Sequence, residues 1–143
     1  MIPSEDEWYK AAYHKNDGVT GNYWDYPTAS NTAPTSEPPP GTDMTYGSAN
    51  YYDGGWAIGS PYWRTEVGAY DAKPSDSPHG TFDQGGNVFE WNEAILYGSY
   101  RGLRGGSFIG IDYNLHAADR YYYGYPTYEY DYGGVGFRVA EVP

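Results

Sequence analysis

The sequence predicts an α+β domain dominated by loops, with one N-terminal helix and a small antiparallel sheet. Three observations point there. The 20 glycines and 11 prolines among 143 residues interrupt long helices and strands, because glycine loosens the backbone and proline removes a donor. One stretch near the N-terminus carries a helix start signal. Three blocks, at 80–91, 103–108 and 136–139, set glycines beside large aromatics or paired charges, the composition of a tight backbone path passing under packed rings.

The helix comes first. In Ile2-Pro3-Ser4-Glu5-Asp6-Glu7-Trp8-Tyr9-Lys10-Ala11-Ala12-Tyr13, Ser4 and Glu7 have capping-box spacing, acids crowd the first turn, and Trp8, Ala11 and Ala12 share a face. Residues 5–13 are predicted helical, docking one tryptophan in the core. From Asn22 to Met44, Trp24-Asp25-Tyr26-Pro27 and Pro38-Pro39-Pro40-Gly41 with intervening Ser, Thr and Asn read as a long surface loop. Residues 48–55 and 65–70 read as short extended pieces ended by turns. Residues 88–94, the block running from Tyr100 to Phe108, and residues 133–139 are the strands expected to form the sheet.

Only 18 of 143 residues are Ile, Leu, Val or Phe, below the roughly 20% under which strongly charged chains are usually disordered. Against that stand 19 tyrosines and 5 tryptophans, each able to bury about 150–250 Å². The expectation is therefore a single domain over residues 1–143 with an aromatic core, whose hydroxyls need partners. The net charge of −11 argues against nucleic acid and anionic membrane as partners. No apolar run approaches the roughly 20 residues of a membrane span, so no membrane insertion is expected. The absence of cysteine excludes disulfides, thiolate metal sites and thiol catalysis.

Residues 109–134 hold Tyr113, Tyr121, Tyr122, Tyr123, Tyr125, Tyr128, Tyr130 and Tyr132, with Asp112, Asp119, Glu129 and Asp131 interleaved. Their apolar positions follow neither a period of 2 nor one of 3.6, which predicts loop. Loops of that length inside a domain are more often functional than incidental. Tyrosine supplies rigid contact area with a hydroxyl at its tip. Tyr113, Tyr121, Tyr123, Tyr125, Tyr128 and Tyr130 are the candidate contacts to a protein or glycan ligand. The alternative is that these rings cover the sheet or pack against another copy of the chain.

Little else suggests chemistry. His14, His79 and His116 are far apart and fit no metal spacing. Ser107, in Gly-Gly-Ser-Phe-Ile-Gly, lacks the strand-to-helix setting of a nucleophile elbow. The 19 acids single out no carboxylate pair. Glu90 differs, because it lies between Phe89 and Trp91, where a buried carboxylate needs a counter-charge. Arg104, Arg120 and Arg138 are the candidate partners, and calcium with backbone carbonyls is the alternative.

Read together, Ile-Pro-Ser-Glu-Asp-Glu-Trp at 2–8, Gly-Asn-Val-Phe-Glu-Trp at 86–91, Arg-Gly-Gly-Ser-Phe at 104–108 and Gly-Phe-Arg-Val at 136–139 resemble the formylglycine-generating, or sulfatase-modifying factor, domain. The resemblance spans nearly the whole chain and implies a variant of the C-type lectin fold. Members that oxidise sulfatase cysteines use a cysteine pair, and iron-dependent sulfoxide-synthase relatives use a histidine cluster. Neither is present, so the resemblance implies no enzyme here. The family domain normally has a further N-terminal portion, so this chain resembles the C-terminal part of a larger precursor. The family's calcium site, carried over, implies a structural ion held by Glu90 with the Gly86 and Val88 carbonyls.

Two non-enzymatic branches are similar. One comprises secreted bacterial proteins with a C-terminal Val-Pro-Glu-Pro sorting signal, whose approach residues 137–143 resemble. The other comprises the variable proteins of diversity-generating retroelements, which vary at adenine-rich codons. Asparagine codons altered there yield Tyr, Asp, Gly, Ser and His, much of what fills 109–134. The resemblance thus implies an extracellular or cell-surface bacterial module that binds a protein or glycan through its tyrosines. The alternatives are a matrix or filament subunit assembling through the same rings and the Pro-rich loop, and an enzyme, which the missing cysteines disfavour.

Overall fold

The computed structural model describes residues 1–72, 74–124 and 133–141. Helix α1 spans Glu5–Tyr13. The Glu7 backbone N–H donates to Ser4 Oγ at 3.3 Å, and the Glu7 carboxylate accepts from the Ser4 N–H at 2.8 Å, so two donors left free at the helix start are satisfied reciprocally. Its inner face buries Trp8, Ala12 and Tyr13.

Two short strands, β1 (Thr35–Ser36) and β2 (Ser48–Ala49), pair in parallel. The main sheet has four strands: β3 (Phe89–Leu96), β4 (Tyr100–Arg104), β5 (Tyr121–Tyr123) and β6 (Val135–Gly136), in the order β5-β4-β3-β6. β3 and β4 form an antiparallel hairpin, and β5 pairs antiparallel with β4. The third pairing departs from the antiparallel expectation, because β6 runs parallel to β3. That geometry needs a crossover rather than a hairpin.

Two local expectations are also corrected. Residues 65–70 form a turn, since the Thr65 N–H is taken by Asn87 Oδ1 at 3.0 Å and the Gly68 N–H by the Asp83 carboxylate at 2.5 Å. Backbone donors spent on side chains are lost to a ladder. The segment read as loop contains a 3₁₀ turn, Asp112–Leu115, and strand β5. Three consecutive tyrosines show no alternation because tyrosine serves either face of a sheet.

The interior is built from rings. Trp8, Tyr13 and Ala117 form one buried group, while Tyr26, Ala49, Tyr51 and Leu115 form another. Buried phenols end on backbone carbonyls: Tyr13 on Leu115 at 3.0 Å, Tyr51 on Pro34 at 2.6 Å, Tyr70 on Glu37 at 2.6 Å. Burial pushes all three hydroxyls up, Tyr51 to about 12. Glycines let the main chain pass beneath: at Gly86, with φ +78°, a Cβ would sit 2.4 Å from the Asn50 carbonyl oxygen.

Candidate binding surface

Alternation along the strands gives the sheet two different faces. The registers Leu103↔Tyr121, Arg101↔Tyr123 and Phe89↔Val135 place Phe89, Leu103, Tyr121, Tyr123 and Val135 on one side. Glu90 and Arg104, which are also paired across strands, lie on the other with Tyr122.

On the first side the Phe89 and Tyr121 rings stack, with centroids 5.2 Å apart and planes at 24°. Tyr121 nonetheless stays 45% exposed. Between these strands and the chain that follows β4 lies a cavity of about 180 Å³, lined by Phe89, Leu103, Ser107, Ile109, Asn114, Tyr121, Tyr123, Gly134 and Val135. Ser107 is fully buried, and its Oγ has no hydrogen-bond partner among the described residues. Among the described residues no histidine is bonded to this hydroxyl to act as a base.

The structure brings Tyr121 and Tyr123 together at this cavity. Tyr113 is 56% exposed and does not line it, because its ring stacks on His116 at 6.2 Å. Tyr125, Tyr128 and Tyr130 lie outside the described residues. A second group of rings escaped the sequence reading. Tyr97, 79% exposed at the β3–β4 turn, packs on Tyr122 at 4.8 Å, and Tyr100 meets the same ring at 5.4 Å. The signal was the Tyr-Gly-Ser-Tyr run joining two predicted strands.

On the opposite face Glu90 has its counter-charge. Its carboxylate accepts from Arg138 Nε at 2.5 Å and Nη2 at 2.7 Å, and from Trp8 Nε1 at 2.6 Å. Arg104 and Arg120 both pair with Glu5 instead. The residues at Glu90 do not fit calcium, since three N–H donors occupy the carboxylate and the guanidinium would repel a cation. Among the described residues no group of three or more His, Asp or Glu side chains could hold a metal. His14 and His116 are absorbed in local bonds to backbone, and burial lowers the His79 pKa.

Comparison with known proteins agrees with the geometry. The profile of the Sulfatase-modifying factor enzyme 1-like domain matches residues 1–142. Among solved structures, Treponema denticola variable protein 1 is similar, with a TM-score of 0.54 and 22% identity over 96% of this chain and 45% of that one. The chain therefore spans under half of that protein's length. No curated protein matches. With the profile covering almost every residue and the α+β architecture similar to that of the variable protein, this chain belongs to the Sulfatase-modifying factor enzyme 1-like domain family, in its C-type lectin-like fold.

Proposed function

We propose that this chain is a non-catalytic binding module that presents tyrosine rings to a protein or glycan outside a bacterial cell. The observation that carries the reading is Tyr121, which is stacked on Phe89 yet remains nearly half exposed beside an apolar cavity. A ring ordered before binding loses little entropy on contact. The lack of cysteine and the likeness to a protein named as variable support binding over catalysis. The charge of −11 favours a neutral or basic ligand. The test is a screen against glycan arrays and displayed peptides with wild type and a Tyr113→Ala, Tyr121→Ala, Tyr123→Ala variant. The expected result is a ligand lost by the variant while its melting curve is kept. Equal binding by both would overturn the reading.

A second reading is favoured by Tyr97, Tyr100 and Tyr122, exposed rings in mutual contact at one end of the sheet. Such patches can join copies of a chain into a matrix or filament. Sedimentation separates the two readings, since a monomer at high concentration would end the assembly proposal.

A further inference from the structure

We propose that the cavity beside Tyr121 takes one phenolic side chain of a partner polypeptide, its ring between Leu103, Ile109 and Val135 and its hydroxyl paired with Ser107. The proposal rests on the reading of this surface as a binding site and commits it to a protein rather than a glycan.

Size is the first argument. A dry apolar cavity of about 150 Å³ holds benzene, so the 180 Å³ here suits a six-membered ring with one further substituent. Chemistry is the second. The walls are mainly Phe89, Leu103, Ile109, Tyr121 and Val135, and among the described residues no charged side chain lines them. A sugar, with a hydroxyl on most carbons, would strand its polar groups there, and a carboxylate or ammonium would find no counter-charge.

Among the described lining residues, one buried side-chain polar atom, Ser107 Oγ, is without a partner. Asn114 is already engaged, its Oδ1 accepting from the Ile111 N–H at 3.1 Å and its Nδ2 donating to Asp119 at 3.1 Å. Ser107 Oγ is fully buried and has no partner among the described residues. It faces Gly134 across the lining, 3.7 Å from where a Cβ on that residue would lie. Buried hydroxyls without partners are rare in native proteins and call for an account. A phenol hydroxyl inserted at the same depth supplies the missing bond. The net charge of −11 selects a neutral or basic chain to carry it.

The experiment is NMR titration of the full chain with p-cresol, toluene and methyl β-glucopyranoside. The expected result is saturable p-cresol binding that shifts Leu103, Ile109 and Val135, weaker toluene binding and none by the glycoside. Ser107→Ala should fold at least as stably, having lost an unpaired hydroxyl, and should bring p-cresol to within the affinity of toluene, a loss of up to about tenfold. Gly134→Val should fill the space and abolish both. Absence of aryl binding, glycoside binding in its place, or a p-cresol preference that survives Ser107→Ala would overturn the proposal. Because these probes are single rings, such failure leaves the tyrosine surface to be judged by its own alanine variant.

Discussion

Arg138 grips Glu90 across 48 positions of sequence, with Nε and Nη2 at 2.5 and 2.7 Å from the two carboxylate oxygens. The same arginine donates to the Phe82 carbonyl at 3.1 Å, and Trp8 donates to Glu90 from the helix side. Glu90 on β3 therefore holds together the chain just past β6, the central strand and the helix.

Breaking the pair from the arginine side should be costly. Arg138→Met leaves the buried Glu90 carboxyl without its counter-charge, and the expected loss is about 3 kcal/mol, the low end for a buried pair, because Arg138 is itself 24% exposed. Urea unfolding measures it. Glu90→Gln, which removes the charge and keeps an acceptor for Trp8, should cost less.

Removal of divalent ions tests the family's calcium directly. Since Glu90 is held by arginine, chelation with EDTA is expected to leave the melting temperature of the chain unchanged. A fall of several degrees, reversed by added calcium, would show that a cation does hold this part of the fold.

The capping box offers a cleaner measurement at the other end of the helix. Ser4→Ala removes the acceptor of the Glu7 N–H and a donor to the Glu7 carboxylate, and should cost about 1 kcal/mol. Ser4→Asp, which can still accept from the Glu7 N–H, should recover part of it in a thermal melt.

Acid should act through Glu37. Hydrogen bonds from Ser48 Oγ and from the Thr42 and Asp43 backbone hold its carboxyl well below the ordinary 4.5, at about 2. The folded pKa is depressed, so the stabilisation is present above pH 4.5 and is lost as pH falls toward 2. Melting temperature measured against pH should decline over that window, and Glu37→Gln should flatten the decline while lowering stability at pH 7.

Elements set by neighbours in the sequence were legible. The α1 cap and the strand built on Phe89-Glu90-Trp91 depend on local patterns, and the ring-filled interior followed from composition. The parallel pairing of Val135 with Phe89 was not legible, because it depends on the path of the chain between edges of the sheet rather than on either strand. Neither was the choice of Arg138 over Arg104 and Arg120, three similar side chains sorted only by where the backbone carries them. At the candidate surface Tyr121 and Tyr123 were found by composition. Tyr97 and Tyr100 were missed as residues flanking a turn, and Ser107 was weighed only as a nucleophile, since no sequence pattern marks a hydroxyl left without a partner.

Three phenols inside this molecule, Tyr13, Tyr51 and Tyr70, terminate on a main-chain oxygen of another segment, whereas Tyr121 and Tyr122 keep their rings half in solvent. Tolerance to substitution is thereby divided between two populations of one residue type. Exchange of Tyr13, Tyr51 or Tyr70 even for phenylalanine strands a carbonyl, while the outer rings can be rewritten without touching the frame that displays them. A scaffold sorted in this way can change what it recognises and still fold.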